Sequence, residues 1–128
     1  MAAVGKRVSG ALLVAVGGAL GALARHGLFL LIARLGLTSF PYGTLCVNVL
    51  GSFAAGALVG WLAAREDAAS LRLFCSVGLL GGFTTFSAFS TDALNLVREQ
   101  RPGAALAYVA GSVAVALAVA ALGFRWTR

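Results

Sequence analysis

Apolar residues fill four long stretches of the chain, at about residues 8–33, 43–64, 71–97 and 103–124, and polar positions gather between them. About 20 apolar residues suffice to cross a bilayer as an α-helix, so each stretch is long enough to span. Strict apolar-polar alternation is absent, which excludes a β-barrel. Away from water a backbone must satisfy its own polar groups, and helices are the remaining form. Thr38 and Ser39 before Pro41 mark a turn into the second span, and Arg65, Glu66 and Asp67 separate the second from the third. Residues 98–101 close the third span and Pro102 opens the fourth, a position where the missing N–H of proline costs nothing. The pattern predicts one all-α, four-helix membrane domain without linker or tail.

The apolar run after Lys6 and Arg7 continues to about Ala33, past the short core of a cleaved signal, and is read as a retained first span. Small residues recur at four-residue spacing, at Gly17 and Gly21, Gly56 and Gly60, Gly78 and Gly82, and Ala107 and Gly111, which predicts close helix packing. Composition agrees, with 60% hydrophobic and 11% charged residues and a mean hydropathy of +0.95. Ten Lys and Arg against four Asp and Glu give +6. These charges flank the spans as interfacial anchors rather than forming one face, which argues against nucleic acid as a partner. With the N-terminus inside, Lys6, Arg7, Arg65, Arg72, Arg125 and Arg128 face the cytoplasm, against Arg34, Arg98 and Arg101 opposite and Arg25 within the first span. So modest a bias leaves insertion in both directions open. Cys46 and Cys75 lack metal-ligand spacing and are expected as buried free thiols.

Polar residues inside a span are costly unless they pair or face a wet cavity. Asn48 sits mid-span among apolar neighbours, as either a helix-to-helix hydrogen bond or an uncharged donor to an anion. In the third span Gly81-Gly82 followed by Thr84-Thr85 is poor helix material and predicts a break near the middle, with freed carbonyls suited to an alkali cation. Phe86 and Phe89, three residues apart, share a face, and their electropositive ring edges could meet a small anion beside Ser87, Ser90 and Thr91. Arg25 either snorkels or lines an electropositive vestibule, and His26 reads as an interfacial residue. Tyr108 and Ser112 share one face of the fourth span, as packing or as a polar track.

These residues resemble the Fluc (CrcB) family of fluoride channels from about Gly17 to Ser112. The matching pieces are Gly-Gly-x-x-Gly-Ala-x-x-Arg at Gly17 to Arg25, Gly-Thr-Leu-x-Val-Asn-x-x-Gly-x-Phe-x-x-Gly at Gly43 to Gly56, and Gly-x-x-Gly-Gly-x-Thr-Thr-Phe-Ser at Gly78 to Ser87. The resemblance implies an antiparallel, dual-topology dimer in a bacterial plasma (inner) membrane, with a heterodimeric pairing also known in the family. It implies two fluoride pathways along the subunit interface and a structural sodium ion held by backbone carbonyls of Gly81 and Thr84 from both copies. By the same resemblance Phe86 and Phe89 are pore phenylalanines and Asn48 the pore asparagine. Ser87, Tyr108, Ser112 and Thr44 form a polar track, and Arg25 is a vestibule arginine. The chain departs from the family at Ala88, where Thr is common, at Asp92, where many members have Glu, and at His26, where an aromatic is usual.

The expected function is passive fluoride export rather than enzymatic chemistry, because no nucleotide-binding loop or energising domain is present. HF crosses lipid and dissociates inside, and an interior-negative potential then drives the anion out with about 2.3 kcal/mol per charge per 100 mV. The alternative is a small multidrug-type proton-coupled exporter, which needs an embedded carboxylate; Asp92 lies toward the end of the third span and the other spans hold none. A structural subunit would explain the glycines but not the broken third helix together with Asn48.

Overall fold

The computed structural model describes residues 2–63, 65 and 68–128, with side chains from residue 9 onward. Among these residues the regular secondary structure is all helical: α1 (Ala2–Arg34), α2 (Tyr42–Leu62), α3 (Ala69–Leu71) running into a π-helix (Arg72–Leu80), α4 (Gly81–Phe83), α5 (Phe86–Arg98) and α6 (Pro102–Thr127). Four spans are long and apolar enough to cross a membrane, Ser9–Arg34, Tyr42–Leu62, Ala69–Arg98 and Pro102–Thr127. The expected spans are recovered within a few residues at most ends, α1 starting well before the predicted residue 8. Ala64, Glu66 and Asp67, where the second span was expected to end and the polar break to begin, lie outside the described residues.

Two helix pairs make the fold, α2 against α6 and α1 against the first half of the third span. Bare glycine backbones allow the approach. A Cβ at Gly82 would collide with the Gly18 carbonyl, and one at Gly56 with the Ala120 carbonyl. Three of the four small-residue pairs predicted from spacing lie at such contacts. The fourth does not, since a Cβ at Gly111 would meet nothing within 4 Å and Ala107 is exposed. Cys46 and Cys75 are free, as expected, but half-buried rather than buried. A small core of Leu96, Ala105 and Tyr108, with Phe40, Leu45 and Phe89 against it, joins α5 to α6 beneath the α1–α2 connection.

At that end two connections are tied together, Arg101 donating from Nη1 to the Ser39 carbonyl at 2.9 Å. The helix before it, α5, closes in a Schellman arrangement: the Arg101 N–H reaches the Leu96 carbonyl and the Gln100 N–H the Val97 carbonyl, both at 3.0 Å. Gln100 has φ +58°, a left-handed conformation that costs a side-chain-bearing residue energy and suits glycine. Gln100→Gly is therefore expected to stabilise the protein by about 0.5–1 kcal/mol, read as a raised unfolding temperature in detergent.

Candidate functional site

The third span stops being helical at Thr84 and Thr85, whose backbones are extended, and resumes at Phe86. Position is the correction to the sequence reading. Gly81 and Gly82 remain helical, Gly82 serving the approach of α1, while the β-branched threonines that follow take the extended conformation. Asn48 on α2 makes this possible. Its Nδ2 donates to the Thr85 carbonyl at 3.0 Å, and its Oδ1 accepts the Thr85 N–H at 2.9 Å. The side-chain amide thus supplies the acceptor that the Thr85 N–H lacks at the break, and adds a donor to the carbonyl with which Thr85 opens α5. The Gly81 carbonyl, which a continuous helix would pair with that N–H, is released. Thr85 then caps α5 by accepting the Ala88 N–H on its hydroxyl at 3.1 Å. From α1, Arg25 donates Nη1 to the Thr84 carbonyl at 3.3 Å, so its half-buried guanidinium tends the break as well.

A groove of about 460 Å³ opens on the break, lined chiefly by Asn48, Gly81, Thr84, Phe86, Phe89 and Ser112. Among the described residues none that lines it is charged. The Ser112 residue is 8% exposed and its hydroxyl has no hydrogen-bond partner. The Phe86 and Phe89 rings are tilted at 39° with centroids 5.4 Å apart, and Phe89 continues to Tyr108 at 5.3 Å. Because α5 begins at Phe86, the positive end of its backbone dipole lies at the groove wall.

A second polar cluster stands apart. Thr44 donates to Asp92 Oδ2 at 2.5 Å, and the buried Tyr108 hydroxyl donates to the same oxygen at 3.4 Å. Thr44 and Tyr108 are therefore joined through Asp92 rather than by lining the groove. Ser87 is exposed, its Oγ 3.2 Å from the Thr85 hydroxyl, and it too lies outside the groove lining. Two residues that sequence reasoning left off the site are central here. Thr85 was read as a helix breaker within a matching motif, and Asp92 as a departure from the family and as the carboxylate an exporter would need, near the end of a span. Their partners on α2, Asn48 for Thr85 and Thr44 for Asp92, are 37 and 48 positions away, a distance that local patterning does not register.

The family described as "CrcB-like protein, Camphor Resistance (CrcB)" matches residues 12–124, nearly the whole chain. The chain belongs to the CrcB family. A CrcB-family relative named fluoride-specific ion channel FluC, from Methylobacterium nodulans, is 50% identical over 84% of this chain and 86% of its own length. Relatives of the same name from Hyphomonas neptunium and Beijerinckia indica are 47% and 45% identical, over 90% and 91% of this chain and 91% and 94% of their own. The CrcB family is one of ion channels and not of enzymes, and this member is a multi-pass membrane protein. All three segments that carried the resemblance fall within the matched region, and they converge on the break.

Asn48→Asp keeps an acceptor for the Thr85 N–H but sets a carboxylate against the Thr85 carbonyl. The variant is expected to lose about 1–3 kcal/mol of stability, seen as a lower unfolding temperature in detergent. An unchanged temperature would mean that the amide does not hold the break.

Proposed function

We propose that this protein is a passive, fluoride-selective channel that exports fluoride from the cytoplasm. The observation that carries this reading is the groove at the break: its polar groups are uncharged, and they include donors suited to an anion. The second Nδ2 hydrogen of Asn48, the orphan Ser112 hydroxyl, the Phe86 and Phe89 ring edges and the start of α5 can each stabilise negative charge without trapping it. The fluoride named for the relatives is the anion we assign to it. A proton-coupled exporter fits less well, because no carboxylate lines the groove and Asp92 is engaged by Thr44 and Tyr108.

The working unit in this reading is an antiparallel, dual-topology dimer in the bacterial inner membrane. Phe86 is 78% exposed at the groove, so a single chain supplies an open wall, and a second copy would close it. Thr44 and Tyr108 would continue the polar track beyond Phe89, with Ser87 beside the rings. Arg25 supplies positive potential behind the break. A resident sodium ion belongs to the same proposal. Gly81 and Thr84 both line the groove, and the released Gly81 carbonyl and the Thr84 carbonyl, which keeps a lone pair beyond its bond to Arg25, are oxygen donors of the kind alkali cations take. When bound, the ion supplies positive charge that ties the breaks of two copies together.

Purified protein in liposomes is expected to release fluoride and retain chloride, and chloride release or proton-coupled drug movement would sink the reading. Ser112→Ala removes a buried hydroxyl that has no partner, so unfolding temperature should hold or rise while fluoride efflux falls several-fold. Loss of stability without loss of flux would make Ser112 a packing residue. Replacing sodium by a bulky organic cation is expected to lower dimer stability in detergent, measured by size and unfolding temperature. No change in either would remove the ion from the proposal.

A further inference from the structure

Beyond the groove, a second cavity of about 490 Å³ lies between the last turns of α2 and the start of the third span, lined by Leu58, Val59 and Leu62 on one side and Arg72, Leu73 and Val77 on the other. Ser76 lines both this cavity and the groove, so the two meet at that residue. Their walls are continuous. On α2, Leu62, Leu58, Ala55, Ser52 and Asn48 lie on successive turns of one face, and on the third span Arg72, Ser76, Leu80 and Thr84 follow at four-residue intervals. The wide winding of the π-helix, in which the Gly81 N–H reaches back to the Ser76 carbonyl, carries this face from Arg72 to the break. One cleft therefore leads from the Arg72 end of the molecule to Asn48.

We infer that this cleft is the path by which anions approach the groove, and that Arg72 at its mouth draws them in. The inference rests on reading the groove as an anion pathway. Arg72 is exposed, and among the described lining residues of the cleft it is the one charged side chain, with no carboxylate opposing it. A guanidinium between low-dielectric walls focuses its field into the cleft and raises the local anion concentration. Past it, the apolar side chains offer no ligand strong enough to hold the ion, and Ser76 provides a single hydroxyl before the donors at the break. A lipid tail or a second copy of the chain could fill an apolar cleft instead, and the test separates these occupants.

Fluoride efflux from liposomes would be compared for wild type, Arg72→Lys and Arg72→Gln at low and high ionic strength, about 0.01 M and about 1 M, where charges are screened beyond about 30 Å and about 3 Å. The Gln variant is expected to conduct several-fold less than wild type at low salt and to match it at high salt, with Lys near wild type throughout. A merely structural role would lower flux equally at both. In parallel, Ser76→Cys in a conducting Cys46→Ala, Cys75→Ala background is expected to react with an anionic, membrane-impermeant methanethiosulfonate and to lose flux. Equal low-salt flux for wild type and Arg72→Gln, or a Ser76→Cys protein that conducts yet resists the reagent, overturns the approach path. A resistant but active protein would place lipid or a second copy in the cleft. Wild-type protein that passes no fluoride would defeat the groove reading itself, so the two failures are distinct.

Discussion

A helix that stops inside a membrane leaves N–H and carbonyl groups where no water is available, each costing several kcal/mol if left unpaired. The arrangement around Thr84 and Thr85 is governed by that requirement. Asn48 is the one residue that answers it on both sides, presenting an acceptor and a donor to a single peptide position. Arg25 takes the Thr84 carbonyl from the opposite side. The break is thus gripped between α1 and α2, and both helices must be held close for the grip to work. Glycines at the contacts of α1 with the third span and of α2 with α6 make that closeness possible.

The same constraint sorts the polar residues of the interior. Charged and strongly paired groups, Arg25 at the Thr84 carbonyl and Asp92 between Thr44 and Tyr108, are kept off the groove, while the groove retains neutral groups with hydrogen-bonding capacity to spare. A permeation path needs this separation, because a full charge in the lining would either repel an anion or hold it. The Ser112 hydroxyl is the clearest case, since a buried group without a partner persists against a cost that a visiting ligand can relieve.

Much of the surface is apolar beyond what the chain itself covers. Leu106 is 72% exposed and Leu117 68%, at positions where lipid is the natural neighbour. Phe86 differs from these in lying on a groove with polar groups around it.

The sequence alone determined the membrane class, the four spans and the family, because apolar run length and glycine spacing act locally and survive without coordinates. It also determined that the third span breaks near its middle, since Gly-Gly followed by Thr-Thr disfavours a helix wherever it stands. Tertiary structure decided where the break falls and what each polar residue does. Propensity marked Gly81 and Gly82 as strongly as the threonines, yet both stay helical, with Gly82 packed against Gly18 of α1. Asn48, read as a choice between helix tie and anion donor, proves to make the tie with hydrogen-bonding capacity left over, and that outcome required the position of Thr85 on another helix. Asp92 looked peripheral for the same reason. A hydrogen bond between helices depends on their relative rotation and depth, which is set by the packing of whole faces and is written at no single position of the chain.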